Sequence, residues 1–105
     1  MAILHPTEAE FDKLMNESGV LFVDFYADWC GPCKMLAPLI EQLDKEYEGK
    51  IKIAKINVDE ESKLAMRFGV SSIPTVIIFK DGLQSGIEIG FKPIDAYKGI
   101  IDSLL

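Results

Sequence analysis

The residues with the clearest chemistry are Cys30 and Cys33, the only two cysteines among 105 residues. They lie in the segment Trp29-Cys30-Gly31-Pro32-Cys33-Lys34, directly after an apolar run. A strand that leads into C-x-x-C and then into a helix is typical of a thiol–disulfide exchange site. The spacing lets one thiolate attack a partner's disulfide while the second thiol is close enough to release the mixed disulfide. The pair therefore predicts redox chemistry on disulfides.

The two thiols are expected to differ because of their places on a helix that begins near Pro32. Unpaired backbone N–H groups and the helix dipole favour an anion at the helix start, so we expect a lowered pKa for Cys30. Cys33, one turn inside, is expected to be more buried and less acidic. This asymmetry predicts that Cys30 attacks the substrate and that Cys33 resolves the mixed disulfide. Gly31 leaves the approach to the sulfur open.

Two other interpretations of the cysteine pair are a partial metal site and inert burial. A structural zinc needs four ligands, and the single histidine, His5, stands next to a proline. Two thiols at a strand-to-helix junction are poorly placed for inert burial. The redox interpretation is therefore favoured.

A single ionisable residue, Asp24, stands inside the apolar run Val20–Ala27. Burial penalises the charged carboxylate, so its pKa is expected to be raised. A carboxyl group with a raised pKa beside a nucleophile is a candidate acid or base. The alternative is a structural polar group satisfied by Lys55 on the next strand, and the two interpretations are compatible.

Helical periodicity marks four segments, and apolar runs mark the strands between them. The helices are expected from the capping box Thr7–Glu10 to Gly19, from Pro32 to Gly49, from a cap at Asp59 to Gly69, and from Ile94 to Leu105. The strands are expected at Ala2–Leu4, Val20–Ala27, Ile51–Val58, Thr75–Phe79 and, after an Asp81-Gly82 turn, around Gly86–Ile89. Pro38 predicts a kink in the second helix. The order predicts one α/β domain over residues 1–105, with a mixed sheet of four to five strands and about four flanking helices.

Charge and length disfavour several classes of function. The formal net charge of −6 disfavours binding to nucleic acid and to anionic membranes. The apolar stretches are far shorter than the ~20 residues of a membrane span. The first residues show no basic region followed by an apolar one, so we expect no secretory signal and a cytoplasmic location. We also expect a monomer.

The chain closely resembles the thioredoxin family over almost its whole length. The resemblance rests on the segments Val23–Lys34, Lys55–Asp59, Gly69–Thr75, Phe79–Gly82 and Gly90. W-C-G-P-C with a downstream I-P-T is a specific combination. It implies a thioredoxin fold and a general protein-disulfide reductase that maintains cell redox homeostasis. It also implies no bound cofactor, electrons carried by the dithiol and supplied from NADPH through a thioredoxin reductase, and many disulfide-containing protein substrates.

The resemblance also implies roles for individual residues. Asp24 would deprotonate Cys33 through water, and Lys55 would tune the pair together with the intervening residues Gly31 and Pro32. Only about one X–Pro bond in twenty is cis, so the sequence alone favours trans at Pro74. Thioredoxins have a cis proline there, which would lie against the cysteines while Ile73 offers its backbone to an extended substrate.

Apolar residues of the resemblance predict a docking surface around Cys30: Trp29, Pro32, Ile73, Gly90 and Phe91. The alternative for Trp29 and Phe91 is core packing. Two residues depart from the family, because Tyr26 replaces a second tryptophan and Phe91 replaces a small residue. Two other functions stay open: a disulfide oxidase or isomerase, and a redox-independent binding subunit. The Gly31-Pro32 pair favours reduction.

Overall fold

The computed structural model describes residues 3–105, in which helices and strands follow the predicted order. The elements are α1 (Glu8–Met15), β1 (Val20–Tyr26), α2 (Gly31–Glu46), β2 (Ile51–Asn57), α3 (Ser62–Arg67), β3 (Thr75–Lys80), β4 (Leu83–Ile89) and α4 (Ile94–Leu104). Thr7 and Glu10 form the predicted capping box at the start of α1. Of the strand expected at the N-terminus, Ala2 lies outside the described residues, and Leu4 forms an isolated parallel bridge to Ala54.

The strands form a mixed sheet in the order β2-β1-β3-β4. Strand β1 pairs in parallel with β2 and antiparallel with β3, and β3 pairs antiparallel with β4. Parallel pairing of β1 and β2 requires a crossover, which α2 supplies. The nearly continuous apolar sequence of β1 accordingly lies between two other strands. Its last residue, Tyr26, leads directly into the loop that carries Cys30.

Helices cover both faces of the sheet. On one face, Phe22 packs with the α2 residue Ile40 and the α4 residue Tyr97. On the other, Phe25 packs with Phe11 of α1 and Leu64 of α3. Side chains alternate between the faces of a strand, so the position of Asp24 places its carboxyl group on the Phe22 face, beneath α2 and α4.

Two expected details are wrong. Helix α3 begins at Ser62 with Glu61 in the N-cap position, so Asp59 does not cap it. The reason is a turn: the Asn57 side-chain oxygen accepts the Asp59 N–H, which delays the helix start. Strand β4 begins at Leu83 rather than near Gly86, with a register irregularity opposite Ile78 and Phe79. Within residues 3–105, no helix is long and apolar enough to cross a membrane.

Candidate active site

The cysteine pair lies where β1 gives way to α2. Cys30 is the N-cap residue of α2, and its Sγ accepts a hydrogen bond from the Cys33 backbone N–H at 3.2 Å. The two cysteines form a disulfide, with their Cα atoms 5.2 Å apart. A sulfur at this position faces the unpaired N–H groups and the positive end of the helix dipole. The local structure therefore favours a thiolate on Cys30 when the disulfide is reduced.

The two cysteines differ in their surroundings rather than in burial. Both are 4% exposed, so the expectation that Cys33 is the more buried is wrong for this disulfide form. The Cys30 Sγ lies 3.9 Å from the Ile73 carbonyl oxygen, on the side of the following loop. Cys33 instead lines a pocket of about 110 Å³ together with Tyr26 and Lys55. The Cys30 sulfur thus lies beside a neighbouring loop, whereas Cys33 borders a small pocket that includes Lys55.

Asp24 lies in the core without a hydrogen-bond partner. It is 1% exposed, and neither carboxyl oxygen accepts a hydrogen bond from any group of residues 3–105. Burial raises the pKa of Asp24 to about 7, and the positive charge of Lys55 offsets part of this effect. The carboxyl group is therefore balanced between its acid and base forms near neutral pH.

Lys55 does not satisfy Asp24 by a hydrogen bond. Although the two residues are paired across β1 and β2, the Lys55 Nζ lies 4.4 Å from the centre of the Tyr26 ring. Burial, followed by the negative charges of Asp28 and Glu60, raises the pKa of Tyr26, and the neighbouring Asn57 side chain partly counters this rise. The aromatic ring that departs from the family pattern thus holds the lysine beside the cysteine pocket.

The loop before β3 brings Pro74 to the cysteines. The Ile73–Pro74 peptide bond is cis, as the resemblance implies. The Pro74 carbonyl accepts a hydrogen bond from the Gly90 N–H at 2.7 Å, and Gly90 adopts φ +87°. The Ile73 carbonyl lies near the Cys30 Sγ, so the end of the α3–β3 loop lies beside the sulfur, and the Gly90–Pro74 hydrogen bond ties the start of the β4–α4 loop to it.

Apolar side chains reach solvent around Cys30. Trp29 is 70% exposed and Phe91 is 38% exposed, so neither is a core residue. Ile73 and Gly90 are partly buried, and Pro32 is exposed. At Gly31, an added Cβ would meet no atom within 4 Å, so the surface over the loop is open. The residues predicted for docking thus lie in the two loops that flank the sulfur and in the first turn of α2.

Sequence reasoning missed three residues at this end of the sheet. Ile89 precedes Gly90 and is 57% exposed. Asp59 accepts a hydrogen bond from the Trp29 indole N–H at 2.9 Å, and Asn57 holds the turn that carries Asp59. The signal for the last two was the N-x-D sequence after an apolar strand, which is typical of a side-chain-capped turn.

The described residues also bear on a metal site. Within residues 3–105, no three side chains of His, Cys, Asp or Glu are grouped so that they could hold a metal ion. The reactive groups that the structure brings together are two sulfurs and one buried carboxyl group. Such a set can exchange disulfides and move a proton, with two electrons carried by the dithiol form of the pair and given up when the sulfur–sulfur bond forms.

Comparison with known proteins agrees with this geometry. The family model described as Thioredoxin matches residues 2–103. Thioredoxins of Staphylococcus aureus, among them those of strains Mu50 and N315, are 49% identical over 105 residues, which is 100% of each chain. The solved structure of a mutant thioredoxin from Halobacterium salinarum NRC-1 has a TM-score of 0.88 and 39% identity. That match covers 97% of this chain and 88% of the other.

Proposed function

Because the chain belongs to the thioredoxin family, it is a thiol–disulfide oxidoreductase that reduces protein disulfides, and we propose a role for each sulfur. The Cys30 thiolate attacks one sulfur of a substrate disulfide and displaces the other as a thiolate. Cys33 then attacks the Cys30 sulfur, which frees the second substrate thiolate and leaves the Cys30–Cys33 disulfide. Two electrons pass to the substrate. The observation that carries this assignment is the Cys30 sulfur at the N-cap of α2.

Asp24 is proposed as the base that takes the proton from Cys33 in the second step. A base is most effective when its pKa lies near the working pH, and that of Asp24 is raised to about 7. Neither of its oxygens is engaged by another group of the described chain. The pocket beside Cys33 has room for water and is lined by Lys55, the residue paired with Asp24 across β1 and β2, which supports proton transfer through a water molecule. Lys55 tunes this step because its charge favours the carboxylate.

Substrates are proposed to dock on the apolar surface around Cys30. Its members are Trp29, Pro32, Ile73, Pro74, Gly90 and Phe91. The Ile73 carbonyl offers a hydrogen-bond acceptor to an extended substrate segment, as in strand addition. The exposed aromatic rings of Trp29 and Phe91 provide contact area without reading a sequence, which suits many protein substrates. Gly31 keeps the sulfur accessible, and Pro32 fixes the first helical turn.

Beyond the site, we propose a monomer that forms one domain over residues 1–105 and works in the reducing cytoplasm. The electrons come from NADPH through a thioredoxin reductase. The sequence has no G-x-G-x-x-G motif for binding the nucleotide itself, which supports a separate donor. The net charge of −6 supports protein substrates rather than nucleic acid or membrane partners.

The test is the reduction of insulin by dithiothreitol with and without the protein. We expect the wild-type chain to accelerate the reaction and Cys30→Ser to abolish the acceleration. Cys33→Ser should accumulate a mixed disulfide with insulin, detectable by mass. Asn16→Ala, at the exposed C-cap of α1, is the control and should leave the rate unchanged. Activity retained in Cys30→Ser would refute the assignment of the nucleophile. A reduction potential well above that of the cytosolic glutathione pool would favour the oxidase alternative.

A further inference from the structure

The exposed indole of Trp29 is held in one place by a single polar contact. Its side chain is 70% exposed, and an exposed ring normally samples several rotamers. Its N–H donates to the Asp59 carboxylate at 2.9 Å, across 30 residues of sequence. Asp59 is itself exposed and lies in a turn. The position of the indole beside Cys30 therefore depends on what fixes that turn.

Asn57 fixes the turn with both its side chain and its main chain. The Asn57 Oδ1 accepts the N–H of Asp59 at 2.9 Å and that of Glu60 at 3.3 Å. Its main-chain oxygen accepts the Glu61 N–H at 2.8 Å. Asn57 is only 7% exposed, so its amide cannot be replaced by water without rearrangement. One buried side chain thus determines where the Asp59 carboxylate lies.

Asn57 is also tied to the strand that leads into the redox loop. It is the last residue of β2 and is paired with Tyr26, the last residue of β1. The next residue, Val58, donates its N–H to the Tyr26 carbonyl at 2.9 Å. The chain reaches Trp29 only three residues after Tyr26. Trp29 and Asp59 therefore both follow closely after Tyr26 and Asn57, which are the paired last residues of β1 and β2.

We propose that Asn57 is a positioning residue that sets the Trp29 indole beside Cys30 through Asp59, and that this placement determines how tightly protein disulfides dock. Within residues 3–105, no hydrogen bond joins Asn57 or Asp59 to either cysteine, so the effect falls on docking rather than on sulfur exchange. The inference rests on the proposed docking role of Trp29. A small disulfide that does not reach the indole should be insensitive to it.

The test compares Asn57→Ala with Asn57→Asp, which keeps the oxygen that accepts the two N–H groups. With insulin as substrate, we expect Asn57→Ala to raise KM about fivefold, as loss of one hydrogen-bonded contact implies, with kcat unchanged. Asn57→Asp should restore KM. Both Asn57 variants should reduce hydroxyethyl disulfide, a small disulfide, at the wild-type rate. Asn16→Ala, which changes the other asparagine of the chain, is the matched control.

Trp29 is the only tryptophan, so its fluorescence reports directly on the positioning. Asn57→Ala should shift the emission maximum and lower the anisotropy of the indole, and Asp59→Ala should do the same. The double variant should match either single variant, because both changes break one chain of contacts. Asn57→Leu, which keeps most of the side-chain volume, replaces the alanine variant if that variant does not fold.

Four outcomes separate the possible failures. An unchanged KM in Trp29→Ala refutes the docking role of the indole and, with it, this inference. A raised KM in Trp29→Ala beside an unchanged KM in Asn57→Ala refutes the inference alone. Additive effects of Asn57→Ala and Asp59→Ala, or an equal loss of kcat with both substrates, also refute it, because the effect would then not pass through the Asp59–Trp29 contact.

Discussion

Toward the amino end of β1, Asp81 accepts a hydrogen bond from the Gly19 N–H at 2.7 Å and donates its own N–H to the Gly19 carbonyl at 2.9 Å. Toward the carboxyl end, Asp24 accepts no hydrogen bond within the described chain. We call these regions the hairpin end, formed by Gly19, Asp81 and Gly82, and the redox end, formed by the residues around Asp24 and Cys30. Two aspartates attached to neighbouring strands thus have opposite surroundings.

The difference shows where the fold is stabilised and where stability is given up for reactivity. At the hairpin end, an exposed carboxylate closes the loops by accepting a hydrogen bond from the Gly19 N–H. At the redox end, a carboxyl group is kept in the core, where its charged form is disfavoured. Natural sites commonly trade stability for activity in this way. Substitution of Asp24 at the redox end should therefore raise stability while lowering activity. Substitutions at Asp81 or Gly82 at the hairpin end should lower stability and leave activity unchanged.

The largest expected effect on stability is that of Asp24→Asn. The pKa of Asp24 rises from 3.8 in the unfolded chain to about 7 in the fold, so the folded state binds more protons between these values. The contribution of Asp24 to the free energy of unfolding is therefore fully present below pH 3.8 and is lost as the pH rises through about 7. At 1.36 kcal/mol for each pKa unit, the loss is roughly 4 kcal/mol. Asp24→Asn has no such dependence and should unfold at higher urea concentration at pH 8.

The same variant should reduce insulin at least tenfold more slowly near pH 7, because the base is missing. The measurement is urea unfolding of the disulfide form of both proteins from pH 4 to pH 9, with the difference between them plotted against pH. A flat difference would show that Asp24 keeps its ordinary pKa, and the contrast between the two ends would disappear. An unchanged rate would remove Asp24 from the mechanism while leaving its effect on stability.

The redox end was more predictable from sequence than its supporting contacts. Cys30, Cys33 and Asp24 could be identified because their residue types are unusual for their places: two thiols at a helix start and a charge inside an apolar strand. The apolar runs likewise predicted where the strands lie along the chain. The N-x-D sequence could have indicated the turn at Asn57, but the contact of Asp59 with Trp29 spans 30 residues of sequence, which no local pattern encodes. The start of β4 was missed because Gln84-Ser85-Gly86 is weak strand sequence.

The next effect in size is expected at the hairpin end, for Gly82→Ala. Gly82 adopts φ +81°, and an added Cβ would lie 2.7 Å from the Met15 carbonyl oxygen at the end of α1. Both the backbone conformation and the contact oppose a side chain, so we expect a loss of about 3 kcal/mol in the free energy of unfolding. Urea unfolding measures it, and the rate of insulin reduction should stay unchanged.

Gly99→Ala is the matched control for Gly82→Ala. Gly99 lies within α4, and an added Cβ there would meet no atom within 4 Å. The alanine should stabilise the helix by about 0.5–1 kcal/mol. Equal effects of the two substitutions would mean that the Met15 contact does not constrain the hairpin end. A slower reductase in Gly82→Ala would mean that the two ends are coupled.

The smallest effect is expected for Asp81→Ala, which tests the hairpin end without a steric clash. The substitution removes the acceptor for the Gly19 N–H and places alanine at φ +51°, a conformation that aspartate and asparagine tolerate better. We expect a loss of about 1.5 kcal/mol. Asp81→Asn keeps a side-chain oxygen that can accept the Gly19 N–H, and asparagine also tolerates the positive φ. Its free energy of unfolding should therefore remain within about 0.5 kcal/mol of the wild-type value. If Asp81→Asn is as harmful as Asp81→Ala, the charge rather than the hydrogen bond stabilises this end. In that case the stability of Asp81→Asn would not change with salt concentration, whereas that of the wild type would fall.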